Sequence, residues 1–181
     1  MKQTTRKIIL LLFIVNCSLQ ISVGQQPTVE WVMRYSDTSL NHYSGTGIKM
    51  DNDGNIYVLA KTGNFGFIKY DPNGNLLTVA SNWPIGYTSG GGTFFDVTPS
   101  GDVYVTGDIN IGLNTWIYTC KFNSQGTLLW SRVYNPDSGN RALDIMVDHN
   151  GNVVIVGSAR ITSINYGLIV KYNSIGDTLW T

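Results

Sequence analysis

Cysteine is nearly absent from this 181-residue chain, with only Cys17 and Cys120 present. Cys17 falls in an N-terminal leader, so processing would leave one thiol and exclude an intramolecular disulfide even in an oxidising compartment. Cys120 shares one side of an alternating segment with Tyr118 and Phe122 and reads as a small buried hydrophobe, not a reactive thiol. Charge is scarce as well. Charged residues make up 13 % of the chain, about half the ~25 % of an average protein, so the surface must be largely neutral polar. Two histidines, His42 and His149, and one glutamate, Glu30, leave no zinc spacing, nucleophile elbow or His-containing triad. The sequence therefore names no catalytic residue, no metal ligand and no cofactor. Outside the leader there is no stretch of helical periodicity and no apolar run near the ~20 residues that cross a bilayer.

The leader itself has the layout of a signal peptide, assigned to residues 1–24. Lys2, Arg6 and Lys7 precede an apolar run over residues 8–15, and Ser22-Val23-Gly24 supplies small residues before Gln25. An uncleaved anchor is the rival reading, but eight apolar residues are too few to span. A lipidated Cys17 is disfavoured because Asn16 precedes it where a small residue is expected. Export is the expectation, to the cell surface or medium, with the periplasm as an alternative. Loss of the three leader cations leaves nine Lys and Arg against twelve Asp and Glu, a net charge of −3. A mildly acidic chain without a basic cluster argues against nucleic acid, and against an anionic membrane surface, as a partner.

What the sequence does contain is a repeat. Asp51-Asn52-Asp53-Gly54-Asn55-Ile56-Tyr57-Val58 returns as Ser100-Gly101-Asp102-Val103-Tyr104-Val105 and again as Asp148-His149-Asn150-Gly151-Asn152-Val153-Val154-Ile155, the glycines 47 and 50 residues apart. A second set of turns, Asp71-Pro72-Asn73-Gly74, Asn123-Ser124-Gln125-Gly126 and Asn173-Ser174-Ile175-Gly176, follows each of the first. All six place Gly where a tight turn needs positive φ, and five open with an Asx three residues earlier, Thr98 being the exception. The segments between turns are rich in β-branched and aromatic residues. Four antiparallel strands per repeat are predicted, centred on residues 48–50, 56–60, 66–70 and 76–78 in the first and on corresponding segments in the others. Residues 116–122 and 166–172 carry apolar side chains on both sides, as expected of a sheet covered on each face. Strand-only repeats of this length form β-propeller blades, and whole four-strand recurrence favours them over a two-sheet sandwich. The expected division is residues 25–46 as a leader strand and linker, 47–88 as blade 1, 89–136 as blade 2 and 137–181 as blade 3.

The third repeat, Ala142-Leu143-Asp144-Ile145-Met146-Val147-Asp148-His149-Asn150-Gly151-Asn152-Val153-Val154-Ile155-Val156-Gly157 with Tyr166-Gly167-Leu168-Ile169-Val170-Lys171-Tyr172-Asn173-Ser174-Ile175-Gly176-Asp177-Thr178-Leu179-Trp180, resembles the bacterial SBBP repeat, a β-propeller repeat of secreted and cell-surface proteins. The resemblance covers about residues 40–181 in three copies. The first copy departs most, with a short middle loop and Thr78 where the others have Trp130 and Trp180. It implies a propeller and an exported, often envelope-associated protein. It implies no activity and transfers no site residue.

Several features imitate chemistry. Asp51-Asn52-Asp53-Gly54-Asn55 looks like half a calcium loop, but the twelfth position, which needs an acidic ligand, is Thr62. Lys69, Lys121 and Lys171 recur at one place per repeat; the expectation is a stem over apolar surface and an ammonium paired with a turn carboxylate, not an anion-binding ring. Trp31, Trp130 and Trp180 are read as outer-strand packing residues, and residues 31–35 as an orphan outer strand. Ser89-Gly90-Gly91-Gly92 lacks the ending of a phosphate loop and is assigned to an inter-blade loop. Asp108 and Asp137 could in principle converge as a carboxylate pair, but sequence cannot place them.

Known propellers close with about four to eight blades. Three are present, so the chain is expected to be the N-terminal part of a longer protein, the alternative being a six-bladed ring of two chains. Self-association through open blade edges is a further possibility. The function expected is a secreted or cell-surface binding scaffold for an unidentified protein or glycan, met at the middle loops, residues 106–115 and 158–165. The alternative is a propeller enzyme acting on extracellular polysaccharide.

Overall fold

The computed structural model describes residues 30–32, 44–60, 63–136 and 139–181. Residues 31–181 form one compact unit; of the separate unit 1–30, only Glu30 is among them. The leader, His42, Thr62, Asp137 and residues 33–35 lie outside the described residues.

Local structure begins at the six turns. In each, the glycine N–H donates to the carbonyl of the residue three positions earlier, as Gly54 does to Asp51 and Gly176 to Asn173. The glycines take φ between +76° and +90°, where a side chain would be strained. The opening residue caps the turn with its own side chain: Asp148 Oδ1 accepts from the backbone N–H groups of Asn150 and Asn152, each at 2.9 Å. Thr98 does part of this with its hydroxyl, which accepts from Asp102 N–H at 2.9 Å.

Between the turns run twelve strands. Sheet 1 comprises β1 (Gly45–Met50), β2 (Ile56–Ala60), β3 (Phe65–Tyr70) and β4 (Leu76–Asn82). Sheet 2 holds β5 (Ser89–Val97), β6 (Val103–Ile111), β7 (Asn114–Phe122) and β8 (Leu128–Tyr134). Sheet 3 holds β9 (Arg141–Val147), β10 (Val153–Ile161), β11 (Ile164–Tyr172) and β12 (Thr178–Trp180). Each is a four-stranded antiparallel meander in chain order. The protein is therefore all-β, three blade-like sheets stacked face to face and not closed into a ring. No helix among the described residues is long and apolar enough to cross a membrane.

Two expectations need correction. The middle loops of repeats 2 and 3 are not loops: β6 and β7 pair without interruption from Val103↔Phe122 to Ile111↔Asn114, and β10 and β11 from Val153↔Tyr172 to Ile161↔Ile164. Polar residues that read as loop sit instead on one side of a strand, alternating with small or apolar ones. Likewise Ser89-Gly90-Gly91-Gly92 is the opening of β5, paired with β6 from Asn110 to Gly107. Gly90 has φ +148°, and a Cβ there would run into the carbonyl of Asp108. The glycines let the two strands approach where a side chain would hold them apart.

Two apolar layers hold the stack. Between sheets 1 and 2 lie Tyr57, Leu59, Phe65 and Phe67 against Val103, Val105, Tyr118, Cys120 and Phe122, with Phe67 edge-on to Phe122 at 5.7 Å. Between sheets 2 and 3 lie Tyr104 and Ile117 against Ile145, Val153, Ile155, Val170 and Tyr172. Sheet 2 is thus covered on both faces, which is why β7 is buried from Ile117 to Phe122. Sheet 3 is covered on one. Met146, Val156 and Ile169, on its other side, remain exposed.

Candidate functional site

The recurring lysines and aspartates meet at the first turns. Lys69 Nζ lies 3.8 Å from Asp51 Oδ2, Lys121 Nζ 2.9 Å from Asp102 Oδ2 and Lys171 Nζ 3.3 Å from Asp148 Oδ2. Lys69 and Lys121 also stand over the rings of Tyr57 and Tyr104, at 4.9 and 5.0 Å. Those two ammonium groups are sunk in the sheet interface, so they form structural hubs rather than an anion-attracting ring. In repeats 1 and 3 the carboxylate opens the turn and an Asn follows the glycine (Asp51 and Asn55, Asp148 and Asn152). In repeat 2 Thr98 opens it and Asp102 follows the glycine, so the charge moves four residues and still finds its lysine. Reading the turns position by position missed this exchange; a charge tally per turn would have found it.

The hubs set the local ionisation. Burial opposes the charge on Asp51, but hydrogen bonds from Asn55 and Tyr57 and the charge of Lys69 outweigh it and hold the carboxyl below the ordinary range. At Asp148, donation from the Asn152 side chain leads, and the pKa falls to about 2. Burial also works against the charge on Lys121, yet Asp102 and Tyr104 hold its pKa above the usual value. Asp51 spends its oxygens on the N–H groups of Asp53 and Asn55, the Asn55 amide and the Tyr57 hydroxyl. A calcium ion at this half-loop would have to displace these donors. Among the described residues no three His, Cys, Asp or Glu side chains cluster in a way that could hold a metal.

The remaining candidates also land in the framework. Asp108 is half-buried, its Oδ1 accepting from Ala142 N–H at 2.9 Å, and desolvation raises its pKa; its proposed counterpart Asp137 is not among the described residues. Cys120 is fully buried, and burial alone pushes its thiol up. Trp130 lies between Tyr104 and Tyr172, at 5.8 and 6.1 Å. Trp180 is 49 % exposed.

One open groove of about 740 Å³ lies at the opposite end of the strands from these turns. The β6–β7 hairpin supplies Leu113 and Thr115, and the approach to β9 supplies Gly139. Sheet 3 supplies Arg141, Ser158, Arg160 and Asn165, with Thr162 and Ser163 at the hairpin tip. Register explains the grouping. Ser158 is paired with Arg141, and Arg160 with Asn165, so all four side chains leave one face of sheet 3 as neighbours. The tip itself is tight, with Thr162 at φ 44° and Ser163 at φ 77°, left-handed conformations uncommon without glycine. Leu113 and Thr115, and Ser158, Arg160, Thr162, Ser163 and Asn165, fall in the two segments expected to meet a ligand; Arg141 comes from β9, outside them. No carboxylate lines the groove among the described residues.

No protein-family model matches the chain, and no curated protein does.

Proposed function

We propose that the chain is a secreted or cell-surface β-propeller repeat module that binds an acidic glycan at the Arg141–Arg160 groove without transforming it. The observation carrying this reading is the groove's chemistry: two guanidinium groups, hydroxyls and an amide, open to solvent, with no carboxylate in the lining among the described residues. Guanidinium suits bidentate pairing with carboxylate or sulfate, and the hydroxyls and amide suit sugar hydroxyls. The basic-apolar-small leader and the likeness to SBBP repeats support export and a surface role. Hydrolysis of polysaccharide would need two carboxylates facing each other across the ligand, whereas Asp108 is half-buried with Oδ1 engaged by Ala142 N–H.

The test is calorimetric titration with polygalacturonate, heparin, neutral dextran and polyglutamate at low salt. Binding to the acidic glycans, weakened tenfold or more by Arg141→Ala with Arg160→Ala and unaccompanied by new reducing ends, is expected. Equal binding by the double variant, or preference for dextran or polyglutamate, would overturn the assignment.

A further inference from the structure

Each sheet reaches the second turn of the next in the same way. Lys69 Nζ donates to Ser124 O at 3.5 Å and Lys121 Nζ to Ser174 O at 3.4 Å. Trp130 Nε1 donates to that same Ser174 O at 3.1 Å, and its ring lies on Gly176, where a Cβ would stand 2.9 Å from Cδ2. The second turn of sheet 1 receives identical treatment from Trp31. Its Nε1 donates to Pro72 O at 3.2 Å and its ring lies on Gly74, again 2.9 Å from a Cβ. In sheet 2, Gly126 is covered by Thr78 and Ala80 of β4. Every one of the three second turns is thus already occupied.

Sheet 3 carries the donors for a fourth such contact. Lys171 holds the place of Lys69 and Lys121, and Trp180 pairs with it across β11–β12 as Trp130 pairs with Lys121. Trp180 is half exposed, and Val156, Ile169 and Met146 lie open on the same sheet. We infer that this face docks a further four-stranded sheet of the same design, one whose Asx-x-x-Gly second turn is vacant and seats Trp180. The occupant is not a second copy of this chain, because the turn of sheet 1 that such a copy would present holds its own Trp31. One bond of the series is missing: Tyr57 and Tyr104 donate to the first-turn carbonyls of Gly101 and Gly151, but Val154 stands in their position. The incoming first turn therefore meets an apolar side chain. Arg141, Ser158, Arg160 and Asn165 leave this same face nearer the β10–β11 hairpin, so the docked sheet also walls the arginine groove.

The experiment extends the full chain by its own residues 131–180 placed directly after Trp180, which continues the 50-residue period. Acrylamide quenching of Trp180, read as the difference from the Trp180→Phe form, should fall severalfold on extension. Gly176→Glu in the appended copy should restore it. Unchanged quenching with the appended segment folded would overturn the proposal. If that segment does not fold, Trp31→Ala in the original chain decides, since it vacates the Gly74 turn. It should then self-associate in sedimentation, and Trp31→Ala with Trp180→Ala should not; a monomeric Trp31→Ala chain overturns the inference. Trp180-dependent association of the unaltered chain would overturn the exclusion of a second copy. Glycan binding is not read in these measurements, so the two assignments fail separately.

Discussion

Moving a charge within one turn tests the hub architecture most directly. In sheet 2 the ion pair joins Lys121 to Asp102 at 2.9 Å, with the lysine side chain 10 % and the aspartate 30 % exposed. An exposed pair is worth about 0–1 kcal/mol, and breaking a buried one costs about 3–5 kcal/mol. This pair lies between, so Asp102→Asn should cost ~2 kcal/mol, leaving Lys121 with only the Ser174 carbonyl and the Tyr104 ring. For a unit of this size that is a fall of roughly 4–8 °C in Tm. Thr98→Asp combined with Asp102→Asn recreates the arrangement of the other repeats, where an opening carboxylate reaches its lysine at 3.3 to 3.8 Å. The double variant should recover most of the loss. Thermal unfolding followed by far-ultraviolet circular dichroism, at low and moderate salt, reads both. An Asp102→Asn protein as stable as the parent, or a double variant no better than the single, would refute the claim that the two positions exchange one structural charge.

Three further outcomes are expected. Cys120 should be inert to a thiol reagent at pH 8 in the folded protein and titrate fully in denaturant, because burial raises its pKa and excludes the reagent; rapid native reaction would contradict its place in the core. Asp148, with a folded pKa of about 2, is held below the ~4 of an unfolded carboxyl, so its contribution is present above pH ~4 and lost as pH falls toward 2. Asp148→Asn should therefore flatten the acid limb of urea midpoints between those values, and an unchanged limb would show that other carboxylates govern it. In hydrogen exchange, amides of β6 and β7, covered on both faces, should be the slowest and those of β12 among the fastest; equal protection would mean that the outer face of sheet 3 is covered.

The turns were legible because their chemistry is local. An Asx three residues before a glycine at φ near +80° needs no tertiary context; five of the six turns have one, and the six join the twelve strands in pairs. Strand length was not legible, because it depends on partners. Asp108 and Asn110 look like loop residues until Asp108 is seen to cap Ala142 N–H and Asn110 to bond Ser89. Ser158 and Arg160 gain no such explanation, and the hairpin that carries them turns at Thr162-Ser163 without a glycine to announce it. Most of the groove was legible: the segments containing Thr115, Ser158, Arg160 and Asn165 stood out as variable, but Arg141 enters only through its pairing with Ser158.

In a stack of repeats, the positions that build the contact between neighbours must recur in kind, and those free of that duty need not. The lysines, the turn carboxylates and the tryptophan and lysine donors to the second turns recur even when the residue moves, as Asp102 shows. The arginines do not. Counted from the first-turn glycine, Arg160 stands where sheet 2 has Asn110, and Arg141, the partner of Ser158, stands where sheet 2 has Gly91, the partner of Asp108. Sheet 2 fills that end with backbone: a Cβ on Gly91 would stand 3.4 Å from Gly63, and the crevice left there is about 190 Å³. Sheet 3 has two long cations there and a groove several times larger. Packing between sheets accounts in part for Arg141, whose charge acts on Asp108 of β6; for Arg160 the proposed glycan site supplies a role.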